Sequence, residues 1–328
     1  MNRNRRNAGC LILAIGVVVC FAPLNAHAQS SETTGIITEI KVGRGRVEVK
    51  PAGSRDWKQA GPLLALRAGD QVRVTSDATA VILFSGERGS VRVDAATSPF
   101  TVPPIKREES KTQKARALLE ASLNSLSATA KEPPRGVLST RGGPKPPVIL
   151  TPRNGVVLPV SLTFEWYGSR YSRYAIKVAG ATGVLLERAD LAATRFDYPA
   201  DAPPLTSGVR YTLQVTSTGH PTQEVWFELL NSQKAQAVQR DLAILEQALK
   251  PVTSENSLVA LKVGFLLREG LIHDARLALT SALTKDPDEP TLHLLLGNLY
   301  LRTSLPDMAA ESYDEARFLL TAKPIPRR

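Results

Sequence analysis

The C-terminal part of the chain matches itself when it is shifted by 34 residues. Under this shift, apolar or aromatic residues align with apolar or aromatic residues, and alanines align with alanines. The matched pairs are Leu266 with Tyr300, Ala275 with Ala309, Leu279 with Tyr313, and Ala282 with Ala316. A period of this length is typical of helix pairs that must stack because one pair cannot bury its apolar face alone. The period therefore predicts helical repeats over residues 233–328.

The repeated positions resemble those of the tetratricopeptide repeat. The second copy carries Leu296, Gly297, Tyr300, Ala309, Tyr313 and Ala316, and the first keeps Gly270, Ala275, Ala282 and Pro287. Lys262 and Val263 replace the usual Leu-Gly pair in the first copy, so its first helix is expected to pack less tightly. Small residues are needed where two helices cross closely.

This resemblance implies a concave groove lined by the first helix of each repeat. The expected groove positions are Ser257, Ala260, Gly264, Leu267 and Arg268, followed by Thr291, Leu294, Asn298, Leu301 and Arg302. Arg268 and Arg302 occupy equivalent positions, and an arginine fork matches a carboxylate. We expect the groove to bind an extended peptide of a protein partner, the alternative being that both arginines are simply solvated.

The N-terminal segment, residues 1–28, has the order of a secretory signal peptide. Three arginines precede an apolar run from Cys10 to Phe21, and Ala26-His27-Ala28 forms a cleavage site. Val19, which is not small, precedes Cys20 and disfavours a lipid anchor. Export to a bacterial periplasm is predicted. Both cysteines lie in this segment, so disulfides and thiol chemistry are not expected in the exported chain.

Residues 29–105 carry short β-branched runs separated by glycine-bearing turns. Val47 and Val49, then Val72 and Val74, alternate with polar residues, which predicts strands with one buried and one wet face. The string LLALRAGDQVRVTSDATAVILFSGERGSVRV resembles the FecR-type periplasmic domain. Its matches include Gly69-Asp70, Val72, Thr75, Ala80 and Phe84. The resemblance implies a protein-interaction or signalling domain without catalysis.

Residues 106–147 combine an amphipathic helix with a proline- and glycine-rich linker. The helix has one apolar stripe, expected to pack on the preceding β unit, with a membrane-surface helix as the alternative. The segment holds nine basic and four acidic residues, so five of the net +10 charges lie here. Because the excess is not on a folded face with interleaved aromatic residues, no nucleic-acid partner is predicted.

Residues 148–232 predict a second all-β unit with strands at regular spacing. The string PLTSGVRYTLQV, with Leu205, Gly208, Tyr211 and Val215, resembles the corner of a fibronectin type III or immunoglobulin-like sandwich. There the tyrosine hydroxyl bonds to upstream backbone. Trp166 is expected in the core rather than on a sugar-binding surface.

The adjacent His273 and Asp274 fall at the turn that opens the second helix of a repeat. We interpret them as structural, since an acid near a helix N-terminus favours the helix dipole and no nucleophile motif accompanies them. No enzyme activity, cofactor or metal is predicted. The last helix, Met308 to Leu320, ends with apolar residues, which predicts packing on the second β unit, on a second copy of the chain, or on a partner.

The predicted fold class is thus multidomain: a FecR-like β domain, a β-sandwich and C-terminal helical repeats. Two functions are consistent with this layout. The first is a periplasmic adaptor whose repeats bind a protein or peptide as part of envelope signalling. The alternative is a binder of peptidoglycan or an acidic glycan, using the basic linker and Trp57.

Overall fold

The computed structural model describes residues 33–85, 89–104, 113–129, 147–160 and 162–321. The predicted signal peptide and most of the predicted linker lie outside these residues. Within the described part of the chain, no helix is both long enough and apolar enough to cross a membrane. Antiparallel β-sheets form the N-terminal part, and six helices are described, five of them in the C-terminal part.

The first β region contains two four-stranded antiparallel sheets, with strand orders β4-β1-β6-β7 and β3-β2-β5-β8. Its strands are β1 (Gly35–Lys41), β2 (Val47–Lys50), β3 (Lys58–Gln59), β4 (Ala65–Leu66), β5 (Gln71–Val74), β6 (Thr79–Phe84), β7 (Ser90–Val93) and β8 (Phe100–Thr101). The alternation predicted for β2 and β5 is confirmed, because Val47, Val49, Val72 and Val74 are all buried and their neighbours are partly exposed.

The turn before β5 is held by a buried carboxylate. Asp70 accepts hydrogen bonds from the backbone N–H groups of Ala52 and Arg67, each at 2.8 Å. Gly69 adopts a φ of +87°, a backbone conformation that favours glycine. Gly69-Asp70 therefore forms a local turn that leads into β5.

Sheet β4-β1-β6-β7 is buried on both faces. Ile37, Ile82 and Phe84 belong to the core of the first β region. Ile36 and Leu83 belong instead to the hydrophobic core of the helices. This double burial explains why β6 is apolar at nearly every position rather than alternating.

The second β region contains a five-stranded sheet, β10-β16-β15-β12-β13, and a three-stranded sheet, β14-β11-β9. Its strands are β9 (Val148–Thr151), β10 (Gly155–Val157), β11 (Thr163–Tyr167), β12 (Tyr174–Gly180), β13 (Gly183–Leu191), β14 (Arg195–Asp197), β15 (Arg210–Ser217) and β16 (Gln223–Leu229). All described pairs are antiparallel except β10 with β16. Side chains of both sheets share one core.

Two predictions for this region are confirmed locally. Trp166 is 2% exposed and contacts Tyr174 edge-on, with ring centroids 5.5 Å apart. The hydroxyl of Tyr211 accepts a hydrogen bond from the backbone N–H of Thr206 at 2.7 Å. Trp166 therefore belongs to the core, and Tyr211 fixes the chain just upstream of β15.

The helices are α1 (Gln113–Thr129), α2 (Ser232–Leu249), α3 (Glu255–Arg268), α4 (Ile272–Lys285), α5 (Pro290–Arg302) and α6 (Pro306–Thr321). Helices α3 and α4 form one adjacent pair, and α5 and α6 form the next. Gly297 lets α5 and α6 approach closely, because a Cβ there would lie 2.5 Å from Cε1 of Tyr313. The glycine and tyrosine that matched the repeat pattern thus pack against each other.

Helix α1 packs mainly on α3, and only a smaller contact joins it to β1 of the first β region. Its apolar stripe, which includes Leu118, Leu119, Leu123 and Leu126, lies in the core of the helices. The expected packing on the preceding β unit is therefore wrong for the main contact. A stripe of leucines predicts that a face is buried, but it does not identify the surface that buries it.

Helix α6 ends against the first β region. Leu320 packs on the core of that region, whereas Phe318 is 59% exposed. The second β region, one of the three surfaces expected for this end, is not the surface that Leu320 contacts. Self-association through the exposed part of α6 stays a prediction.

Candidate functional site: the inner face of the helices

The predicted groove residues lie on one face of α3 and α5, which we call the inner face. Gly264 lies where α1 crosses this face. A Cβ at Gly264 would be 2.6 Å from the backbone oxygen of Ser122 and 2.8 Å from Cγ of Leu126. Leu267, one turn further along α3, is only 5% exposed. Helix α1 therefore occupies the part of the groove that these two residues were expected to offer to a peptide.

Asn298 holds the C-terminal end of α1. Its Nδ2 donates to the backbone oxygen of Thr129 at 2.8 Å, and its Oδ1 accepts from the hydroxyl of Tyr313 at 2.7 Å. Burial raises the pKa of Tyr313 to about 12, so the hydroxyl remains a donor at neutral pH. An amide that accepts and donates at once can recognise a free helix carbonyl. Here the carbonyl belongs to the chain itself.

Strand β1 covers the N-terminal end of the inner face. Thr38 Oγ1 and Ser257 Oγ lie 2.7 Å apart. Glu39 Oε1 accepts from the backbone N–H of Ser257 at 3.2 Å, from Ser257 Oγ at 2.8 Å, and from Ser254 Oγ. Ser254 is the N-cap of α3, so the Glu39 carboxylate satisfies free donors at a helix N-terminus, where negative charge is favoured.

A β-bulge in β1 directs the side chains of Thr38 and Glu39 toward the helices. The register between β1 and β6 shifts between Ile37 and Glu39, so Thr38 has no directly opposed partner there. A bulge of this kind turns a side chain out of the regular alternation. Sequence reasoning did not select Thr38 or Glu39, and the only available signal was two polar residues between Ile37 and Ile40.

A second carboxylate lies at the N-terminus of α5. Glu289 is fully buried, and its Oε1 accepts from the backbone N–H of Thr291 at 3.2 Å. Its Oε2 is buried without a hydrogen-bond partner among the described residues. Burial, with Glu39 as a further contribution, raises the pKa of Glu289 to about 7. Two carboxylates thus lie between β1 and the helices, Glu39 from the strand itself and Glu289 from the N-terminus of α5.

The other end of the inner face is open. Leu294 is half-buried, Leu301 is 39% exposed, and Arg302 is exposed. Arg268 is exposed as well, but its Nη2 lies 2.6 Å from Oε1 of Glu269. Of the ten predicted groove residues, Gly264, Leu267 and Asn298 make internal contacts, and Ser257, Ala260 and Thr291 are fully buried. Leu301 and Arg302 remain accessible, with Leu294 at the margin and Arg268 bound to its neighbour.

A separate polar contact joins α4 to the second β region. His273 Nδ1 is hydrogen-bonded to Thr151 Oγ1, and Asp274 Oδ2 accepts from the backbone N–H of Leu158 at 3.2 Å. Arg276 forms a buried ion pair with Glu165. His273 and Asp274 therefore serve packing between regions, which agrees with their structural interpretation.

The same contact shifts two pKa values in opposite directions. Burial, assisted by the positive charge of Arg276, lowers the pKa of His273 to about 4. Burial raises the pKa of Asp274 to about 6. His273 is consequently neutral at physiological pH, and neither residue bonds to the side chain of the other in the described contacts.

Trp57 is half-buried and lies beside two cationic side chains. The guanidinium carbon of Arg73 lies 4.2 Å from the ring centroid, and Lys50 Nζ lies 5.4 Å from it. Arg73 is also paired with Glu48 at 2.7 Å. Cations over an aromatic ring stabilise it as a local surface cluster, so the polymer-binding alternative rests on the basic linker outside the described residues.

A cavity of about 490 Å³ opens beside the second β region. Its lining is mainly apolar, with Val157, Val160, Pro199 and Leu205 among the residues, and Tyr198 donates its hydroxyl to the backbone oxygen of Pro203 at 2.6 Å. Among the described residues, no group of three or more His, Cys, Asp or Glu side chains could hold a metal ion.

Comparison with known proteins adds no relative. No protein-family model matches the chain, and no curated protein matches its sequence. The functional argument therefore depends on the contacts of the inner face.

Proposed function

We propose that the protein is a non-enzymatic adaptor of the bacterial cell envelope whose helical region binds a protein or peptide partner. In this proposal the first β region is FecR-like, the second is fibronectin- or immunoglobulin-like, and the helices are tetratricopeptide-like repeats. The chain acts after export to the periplasm.

The observation that supports the proposal is that the inner face already binds polypeptide. It holds an extended segment, β1, through Ser257, and it holds the end of a helix, α1, through Asn298. Hydrogen bonds to backbone and to short polar side chains, together with apolar packing, are the usual means of recognising peptide segments.

The open end of the inner face is the proposed contact for the partner. Leu301 offers exposed apolar surface beside the exposed Arg302. An apolar side chain followed by a carboxylate would match this pair, because a guanidinium binds a carboxylate through two parallel hydrogen bonds. Arg268 could join such a contact if its pairing with Glu269 were exchanged for the ligand.

Site-specific photo-crosslinking in cells tests the proposal. A photoreactive residue at Leu301 should give a discrete crosslinked protein, whereas one at Gln236, exposed on α2, should not. The double variant Arg268→Ala/Arg302→Ala should weaken that crosslink, and Arg317→Ala serves as the matched control because Arg317 is an exposed arginine on α6 paired with Asp314. A crosslink that is unaffected by the double variant would refute the proposed contact.

The polymer-binding alternative predicts a different result. Sedimentation with purified cell walls should retain the protein at low salt and release it at high salt if the basic linker is responsible, since exposed charges are screened. No retention would leave the adaptor as the better proposal, whereas retention that persists at high salt would show polymer binding that does not depend on the exposed charges of the linker.

A further inference from the structure

The contact between β1 and the helices contains a buried acid, Glu289, that no neighbouring charge neutralises among the described residues. We call the contact among Thr38, Glu39, Ser254, Ser257 and Glu289 the β1 latch. The two carboxylates in the β1 latch differ in the hydrogen-bond donors that they receive. Glu39 has donors from the N-terminal turn of α3, whereas Glu289 has one backbone donor and one oxygen without a partner among the described residues.

The charged groups that face Glu289 do not neutralise it. From β1 come Glu39, which repels its negative charge, and Lys41, which attracts it. However, Lys41 Nζ is bonded to Asp286 Oδ2 at 3.0 Å, and Asp286 also accepts from the amide of Asn256 at 2.8 Å. An ionised Glu289 would thus be a buried charge close to Glu39, and Lys41, the cation that attracts it, is already paired with Asp286.

We propose that the β1 latch is a proton-dependent switch. A proton on Oε2 of Glu289 keeps β1 seated on the N-terminal ends of α3 and α5, and loss of this proton favours release of β1. Release would expose Ser257 and Thr291, so that, if the proposed adaptor function holds, it would extend the open inner face available to a partner.

The direction of the pH dependence follows from the position of the carboxyl. Burial and Glu39 raise its pKa from 4.5 to about 7, and this rise is partly opposed by the hydroxyl and backbone N–H of Thr291 and by Lys41. Because the pKa is raised in the closed state, Glu289 stabilises that state fully below pH 4.5, and this contribution is lost as the pH rises through about 7. The latch is therefore expected to hold in mildly acidic medium and to loosen in mildly alkaline medium.

Hydrogen exchange of the β1 peptide measures the latch without a partner. Exchange is followed on the intact protein at about pH 5 and about pH 8, with correction for the intrinsic effect of pH on exchange. The opening constant of β1 should rise roughly seventyfold between the two conditions if opening frees Glu289 to its ordinary pKa. Glu289→Gln removes the charge, keeps an acceptor for Thr291, and should abolish most of this rise.

Glu255→Gln is the matched control, since Glu255 lies in the first turn of α3 but is exposed and paired with Lys285. It should leave the pH dependence of β1 unchanged. The proposal is overturned if Glu289→Gln retains the full rise. Should that variant fail to fold, Glu39→Gln, which removes the neighbouring charge, must reduce the rise, and an unreduced rise there is equally contradictory. A failed partner search would not affect either result, so the switch and the adaptor function can fail separately.

Discussion

Replacement of Gly264 by alanine tests the packing of α1 on the inner face. In a free helix this change stabilises by up to about 1 kcal/mol, because alanine is the better helix former. Here the new methyl would lie 2.6 Å from a backbone oxygen of α1 and 2.8 Å from Leu126 Cγ. Leu126 can rotate, but the backbone of Ser122 can move only if α1 shifts.

The magnitude follows from these opposing effects. Overpacking of a buried site costs about 1–3 kcal/mol, and the contact with backbone places this site in the upper part of that range. After the gain in helix propensity, Gly264→Ala should destabilise the protein by about 1–2 kcal/mol. Chemical denaturation should show a lower midpoint with an unchanged slope.

A control variant separates the two effects. Ala243 is exposed on α2, so Ala243→Gly measures the propensity term in this protein and should cost about 1 kcal/mol. If Gly264→Ala instead stabilised the protein by a similar amount, α1 would not lie against α3, and the description of the inner face would be wrong.

Three further predictions concern the contacts between regions. Arg276→Met should lower the free energy of unfolding by about 2 kcal/mol in chemical denaturation, because Glu165 would lose a buried partner. Glu165 would keep only the more distant of its two described arginine partners, Arg195, at 3.5 Å. An unchanged midpoint would show that the ion pair contributes little. His273→Gln should reduce the loss of unfolding free energy between pH 6.5 and about 4. Because the pKa of His273 is lowered in the folded protein, its contribution to stability is present above pH 6.5 and is lost as the pH falls. Outside this range the unfolding free energies of parent and variant should change with pH in parallel. Phe318→Ser should leave the free energy of unfolding within about 0.5 kcal/mol of the parent value, because the ring is exposed. If α6 joins two copies of the chain, light scattering should show weaker self-association of this variant.

The sequence predicts the elements of this protein better than their contacts. Alternating valines identify β2 and β5, and the helical part predicted from residue 233 onward begins with α2 at Ser232. These patterns depend on residues close in sequence, where the period of a helix or strand determines which side chains share a face.

The contacts of the inner face involve residues far apart in sequence. Thr38 meets Ser257 across 219 positions, and Thr129 meets Asn298 across 169. A glycine such as Gly264 indicates close approach of another group, but it does not distinguish a bound peptide from a helix of the same chain. For the same reason the repeat pattern predicted helices in the C-terminal part of the chain and could not show that β1 and α1 cover their inner face.

A disulfide between β1 and α3 would test the central claim most directly. In a chain with Cys10→Ser and Cys20→Ser, the pair Thr38→Cys/Ser257→Cys replaces two side-chain oxygens that lie 2.7 Å apart, a separation compatible with disulfide geometry after small adjustment. Oxidation should produce an intramolecular crosslink, seen by mass spectrometry and as a mobility change without reductant. The control pair Thr38→Cys/Asn256→Cys, one residue away on the helix, should crosslink far less. Free thiols in the first pair, or equal crosslinking in both, would contradict the seating of β1 on the helices.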